Sequence, residues 1–211
     1  MSRTYDDPCG LARALDVLGE RWSLLIVREL LLGPKRFNEL RRGLPAASQS
    51  VLTQRLDELT ASGVIRHLGS RRPAYDLTPR GRELESALIE LSRWGSREPL
   101  TTDAELSVDA LVLAMRTTFD GAAAGDLRDR YEIWVDGDSL RLEIADGELE
   151  VTRVAGTDPM LDISAATLRS VIFGRRTLAD AERSGEATVY RDRRALTRLL
   201  RLFRRPTTAR P

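Results

Sequence analysis

Apolar residues recur at helical spacing through the first hundred positions and then at every second position. Leu11, Ala14, Leu15 and Leu18 stand at i, i+3, i+4 and i+7 and predict a helix over residues 10–19, ended by Gly19. Trp22, Leu24, Leu25, Ile26, Val27, Leu30 and Leu31 predict a second, more apolar helix over 22–32, the central core helix of its region. Gly33-Pro34 stops it. Phe37 and Leu40 mark a short third helix over 36–42, and residues 43–47 turn into a fourth over 48–62.

That fourth helix divides cleanly. At about 100° per residue, Val51, Leu52, Leu56 and Leu59 share one side, and Gln49, Ser50, Thr53, Gln54 and Asp57 share the other. Ser48 is the expected N-cap and Gly63 the expected C′ residue. The outer face carries amides and hydroxyls near its N-terminus, the groups that read base edges in a major groove. Two short helices joined by a tight turn, the second with a polar outer face, form a helix-turn-helix pattern. Residues 64–68 and 74–77 predict a hairpin around 69–73, with Arg71 and Arg72 at its tip. Thr78-Pro79 opens a long helix to about residue 97, with Leu84, Leu88 and Leu91 on one row and Trp94 beside it.

Residues 98–105 predict a linker. Val108, Leu111, Val112, Met115 and Phe119 are again helically spaced, and Gly121-Ala122-Ala123-Ala124-Gly125 predicts a flexible break. Tyr131, Ile133 and Val135, then Leu140, Leu142 and Ile144, then Leu149 and Val151 alternate. Asp136-Gly137 and Asp146-Gly147 sit between these runs as hairpin turns. Residues 160–163 predict a fourth strand. Ser164 caps a helix through Leu168, Val171, Ile172 and Phe173, and a short helix with Leu178 and Ala181 follows. Residues 187–190 predict a last strand, and Asp192 caps a final helix through Leu196, Leu199, Leu200 and Phe203. The expected fold class is α+β: a winged helix-turn-helix over 1–97, then an α+β domain over 106–204 with an antiparallel sheet of about five strands. The basic tail 205–211 is expected to be disordered.

Charge adds a slight asymmetry. Residues 1–98 hold 16 basic and 13 acidic side chains, and residues 99–211 hold 17 and 19. Lys35 is the only lysine. Arg36, Arg55, Arg71 and Arg72 are the candidate contacts to the phosphate backbone. A single cysteine, Cys9, excludes an intrachain disulfide and suits a reducing cytoplasm. No signal-peptide pattern and no bilayer-spanning apolar run is read. His67 is the only histidine, which excludes a histidine-based metal cluster and a conventional serine triad. It reads as an exposed polar contact in a wing strand. No phosphate-binding glycine loop, cofactor or enzyme activity is implied.

Cys9-Gly10-Leu11, the run Ala14-Leu15-Asp16-Val17-Leu18-Gly19-Glu20-Arg21-Trp22, Arg28-Glu29-Leu30, Gly33-Pro34 with Arg36-Phe37-Asn38-Glu39-Leu40, Leu52-Thr53-Gln54-Arg55-Leu56 and Tyr75-Asp76-Leu77-Thr78-Pro79-Arg80-Gly81 together resemble the HxlR-type winged-helix regulators. The resemblance covers about residues 8–97; the wing turn is shorter than is usual there. It implies double-stranded DNA as partner, with Ser48, Gln49, Ser50, Thr53 and Gln54 as base readers. A homodimer is expected to pair Leu84, Leu88, Leu91 and Trp94 with Leu11 and Leu15 of a second copy. Cys9 is expected as a small buried residue at that interface; some members of the family sense electrophiles through an N-terminal cysteine, the alternative role. Residues 104–204, through Leu168 to Gly174, Ser184-Gly185-Glu186-Ala187 and Leu196 to Phe203, resemble the sterol-carrier-protein-type fold. That resemblance implies an apolar ligand site, for which Met115, Phe119, Trp134, Met160, Phe173, Tyr190, Leu199 and Phe203 are candidates. The expected function is a cytoplasmic DNA-binding transcriptional regulator controlled by a small hydrophobic ligand. The alternative is a lipid or acyl carrier, or a protein-interaction module, whose winged helix does not read DNA.

Overall fold

A computed structural model describes residues 4–69, 73–98, 102, 104–156, 158–174 and 176–204. The chain divides into two compact units, Met1–Leu88 and Ile89–Pro211. Among the described residues no helix is long and apolar enough to cross a membrane.

The first unit runs α1 (Gly10–Leu18), α2 (Ser23–Leu30), β1 (Lys35–Arg36), α3 (Phe37–Gly43), α4 (Gln49–Ala61), β2 (Ile65–Leu68), β3 (Ala74–Leu77) and α5 (Pro79–Arg82), and α6 (Leu84–Gly95) crosses the division. Ile26, Val27 and Leu30 of α2 are fully buried among Leu40, Leu52, Leu56 and Leu77, so α2 is the core helix its apolar density predicts. It starts one residue late, because Trp22 takes a left-handed conformation at φ 84°. Such a φ is rare outside glycine; Arg21 covers the ring, 5.0 Å from its centroid.

Three expectations change here. Arg36 lies in a strand and not in the third helix: Lys35 pairs with Tyr75 and Arg36 with Ala74, giving the sheet order β1-β3-β2. Two residues are too few to show a period of two. The long helix from Pro79 is interrupted at Glu83 and continues as α6. Leu88 is buried and Leu84 packs against the same core, so these two serve the unit's own interior. Leu91 and Trp94 remain exposed, as do Leu11 and Leu15 of α1.

The second unit runs α7 (Val108–Thr118), α8 (Gly121–Ala124), β4 (Asp129–Val135), β5 (Asp138–Ala145), β6 (Glu148–Arg153), β7 (Leu161–Ile163), α9 (Ala165–Ile172), α10 (Leu178–Arg183), β8 (Ala187–Val189) and α11 (Arg193–Leu200). Both Asp-Gly pairs make the expected turns, with φ 50° and 84° at Asp136-Gly137 and 53° and 75° at Asp146-Gly147. The five-stranded sheet has the order β6-β5-β4-β7-β8 and is mixed, not antiparallel, because β7 lies parallel to β4. The register explains it. Arg153 pairs with Leu140, Leu140 with Ile133, and Ile133 with Leu161. The end of β6 and the start of β7 thus share one row across the sheet, so the chain crosses its end without reversing.

The expected flexible break at 121–125 is instead the helical turn α8, capped by Asp120, whose carboxylate accepts from the Ala123 N–H at 3.1 Å. A Cβ at Gly121 would stand 2.2 Å from the Gly147 carbonyl oxygen, so glycine allows this turn to meet the β5–β6 hairpin. Arg153 ties β6 to α7 and β5, donating to both oxygens of the buried Asp109 (3.1 and 2.9 Å) and to Asp138 at 2.9 Å.

Candidate nucleic-acid interface

Local chemistry sets α4 as the residue pattern predicts. The Ser48 hydroxyl accepts from the Val51 N–H at 3.4 Å, and Gly63 follows the helix at φ 71°. Leu52, Leu56 and Leu59 are buried. Ser48, Gln49, Ser50, Thr53, Gln54 and Asp57 are exposed. Gln49, Ser50, Thr53, Gln54, Asp57 and Glu58 line one shallow, open depression. Four of the five expected base readers therefore share a surface, with hydroxyls and amides toward the N-terminal end and two carboxylates farther along, and Ser48 adjoins it as the cap. The Ser48 and Ser50 hydroxyls lie 3.2 Å apart.

Beside the end of α3 lies a charge that the pattern of apolar positions does not reveal. Glu29 of α2 is fully buried. Its two oxygens accept from Arg28 and from Lys35, both at 2.8 Å. A buried carboxylate persists only when both its oxygens are answered. A Cβ at Gly43 would come within 2.1 Å of a Glu29 oxygen. The last residue of α3 is thus small because the turn into α4 passes directly over this ion group.

The candidate phosphate contacts separate. Arg36 is exposed, and its backbone N–H donates to Glu39 at 2.6 Å while its guanidinium meets no carboxylate among the described residues. Arg55 is not available as expected. Its side chain is only 13% exposed and is held by Glu58 and, at 3.2 Å, by Glu20. Its position on the flank of α4 turns it back onto the protein. Arg71 and Arg72 lie outside the described residues. His67 is exposed, as expected, and its ring packs on Tyr75 with centroids 4.6 Å apart. Burial, then the carboxylate of Asp57, push the Tyr75 hydroxyl above its ordinary pKa.

Other cations of the first unit carry no signal in the apolar pattern. Arg41 and Arg42 are exposed in the last turn of α3, without a carboxylate partner among the described residues. Their adjacency just before a predicted turn was the available signal. Arg80 donates to the Ser62 carbonyl at 2.7 Å, a cation at the C-terminal end of α4. Arg66 and Arg82 grip the buried Asp76 at 3.0 and 2.8 Å.

Residues 17–101 match the family model described as HxlR-like helix-turn-helix. The chain is 36% identical over 91 residues to the uncharacterized HTH-type transcriptional regulator YybR of Bacillus subtilis (strain 168), covering 41% of this chain and 73% of that protein. It is 41% identical over 88 residues to the uncharacterized HTH-type transcriptional regulator YvaP of the same organism, covering 40% of this chain and 82% of that protein. The chain belongs to the HxlR-like helix-turn-helix family. The reduced form of the B. subtilis transcriptional regulator YodB is also similar, at 30% identity and a TM-score of 0.39, covering 46% of this chain and all of that one. YybR and YvaP are HTH-type transcriptional regulators, and α4 lies within the segment that matches the family.

Beyond the matched family segment, the residues expected to line one apolar site do not share one surface. Met115, Met160, Leu199 and Phe203 are buried, and Phe119 packs edge-on against Phe203 at 6.0 Å. Phe173 is half-buried. Trp134 lies on the opposite side of β4 from the buried Tyr131, Ile133 and Val135, as the strand period dictates. Tyr190 is 57% exposed. A separate cleft of about 280 Å³ opens among Val171, Leu178, Leu200, Arg176, Arg193 and Arg201. Cys9, expected to be buried at a dimer interface, is exposed and unpaired in this chain.

Proposed function

We propose that this HxlR-like protein is a cytoplasmic, homodimeric transcriptional regulator whose α4 reads double-stranded DNA in the major groove. The observation that carries the reading is the exposed N-terminal half of α4, where Ser48, Gln49, Ser50 and Thr53 present hydroxyls and an amide with no carboxylate in the first turn, and Gln54 follows them on the same side. Arg36, Arg41 and Arg42 supply exposed charge on the segment just before it, with no carboxylate partner among the described residues. We set the functional boundary at residues 98–105, past the structural division after Leu88, so that α6 with its exposed Leu91 and Trp94 stays with the first domain for a dimer to cover. Two copies with two-fold symmetry then reach half-sites about 34 Å apart. The test is a gel-shift titration of the full chain with genomic fragments, together with sedimentation at micromolar concentration. Uniform binding to all fragments, or a monomer, would sink this reading.

We further propose that the domain over residues 106–204, within the second unit, receives a small hydrophobic ligand that shifts DNA affinity. The cleft around Val171, Leu178 and Leu200 supports a ligand with an apolar body, and Arg201 at its rim, which meets no carboxylate among the described residues, favours an acidic end; Arg176 and Arg193 there already hold Glu186 and Glu182. Reciprocity requires a ligand that weakens DNA binding tenfold to be weakened tenfold by DNA. Calorimetric titration with medium-chain fatty acids, with and without the selected DNA, tests this; equal affinities would leave a carrier domain without a regulatory link. One observation favours a second reading. Cys9 is exposed, so an electrophile reaches its thiol. On that reading Cys9→Ser abolishes release of DNA by a thiol-reactive quinone, whereas an unchanged release would remove it.

A further inference from the structure

Glu58 sits on the reading helix where its charge works against DNA binding, yet both of its oxygens are in use. One accepts from the Gln54 amide nitrogen at 2.9 Å, an i, i+4 contact along the exposed face. The other accepts from Arg55, whose second nitrogen is held 3.2 Å from Glu20 in the segment ahead of α2. Arg55 is largely buried, so Glu58 is moored to the body of the unit and is not a free surface group. The consequence falls on Gln54. Its nitrogen is drawn toward the C-terminal end of α4, and its carbonyl oxygen has no partner among the described residues.

We propose that Glu58 is a positioning residue that fixes the Gln54 amide with its oxygen presented to DNA and so sets which bases the helix accepts. This rests on the reading of α4 as the DNA-reading element. In the major groove adenine and cytosine offer an amino donor, while guanine and thymine offer keto oxygens at the equivalent place. An untethered glutamine rotates its amide to suit either. A tethered one accepts from an amino group, and its second N–H still reaches adenine N7. The order of preference is therefore adenine, then cytosine, with guanine and thymine disfavoured.

The experiment is selection of binding sites from a random duplex library with the full chain, followed by affinities for all four bases at the position that Gln54→Ala relaxes. Wild type should prefer adenine over guanine and thymine by about tenfold or more, within the range of one good side-chain contact. Glu58→Ala should flatten that preference by about tenfold while raising affinity for unrelated DNA. Glu58→Gln keeps a carbonyl acceptor for Gln54 and should retain the preference although the charge is gone. A library from which wild type enriches no sequence removes the reading of α4 and this proposal together. Enrichment by wild type with an unchanged base profile for Glu58→Ala overturns this proposal alone. So does equal relaxation by Glu58→Gln, which would assign the effect to charge.

Discussion

Both units are rich in arginine, and they use it differently. In the second unit most arginines grip carboxylates of the same unit: Arg141 holds Glu132, Arg153 holds Asp109 and Asp138, Arg193 holds Glu182, and Arg198 holds Asp129. Even the basic helix α11 spends Arg193 and Arg198 on such pairs. In the first unit Arg36, Arg41 and Arg42 remain exposed without acidic partners among the described residues, on the segment that leads into α4. The near-neutral balance of each half hides this. What marks the first unit is where its unanswered cations stand, on the one segment that leads into α4; Arg169, Arg194 and Arg201 of the second unit also meet no carboxylate among the described residues, but they are spread over α9 and α11 and its end.

The largest expected effect tests the paired side. Arg153→Met removes two hydrogen bonds from Asp109, which is 3% exposed, and one from Asp138; breaking a buried pair costs up to about 3–5 kcal/mol. Hydrogen exchange should show loss of protection across β4–β7 with the first unit unaffected. Uniform loss would mean that the two units do not unfold separately.

Next comes the buried group of the first unit. Gly43→Ala places a methyl against Glu29 and should cost about 1–3 kcal/mol, as overpacking does. DNA affinity should fall with it, since the turn into α4 must shift. A denaturation midpoint unchanged from wild type would show that the turn absorbs the methyl.

A smaller effect separates free from committed cations within the first unit. Arg36→Ala should flatten the log–log salt dependence of DNA binding by about one unit, as loss of one phosphate contact does. Arg55→Ala should leave that slope unchanged, because its guanidinium already faces Glu58 and Glu20. Equal slopes for both variants would erase the distinction drawn here.

The smallest concerns acid. Hydrogen bonding from Arg204 holds the Asp120 carboxyl below its ordinary 3.8. Hydrogen bonds from Thr177 do the same for Asp180, and Arg176 holds Glu186 below 4.5. A carboxyl lowered on folding contributes stability that is full above its ordinary value and disappears as pH falls through the lowered one. Below about pH 4 the second unit should therefore lose stability progressively. Thermal melts of the full chain between pH 7 and pH 3 would check this, and added salt should shrink the change because these pairs are exposed.

Residue pattern alone determined the parts that depend on near neighbours. The extent of α4, its Ser48 cap, the Gly63 stop and the two Asp-Gly hairpins follow from steric and hydrogen-bonding preferences that act over four residues or fewer. The surface shared by Gln49, Ser50, Thr53 and Gln54 follows from the helical period, so the candidate reading face was legible as well. Trp134 shows the same rule neglected: its place in the strand period already set it opposite Ile133. Tertiary structure decided what depends on distant partners. Arg153 meets Asp109 across 44 positions, and Arg204 meets Asp120 across 84. No local pattern distinguishes these arginines from Arg36. The parallel placement of β7 was likewise hidden, because strand direction depends on where β6 ends across the sheet and not on the residues of β7. The release of Arg36 to solvent and the capture of Arg55 by Glu58 and Glu20 were settled only when the helices packed. A charged side chain is defined by what surrounds it, and packing brings those surroundings from far along the chain.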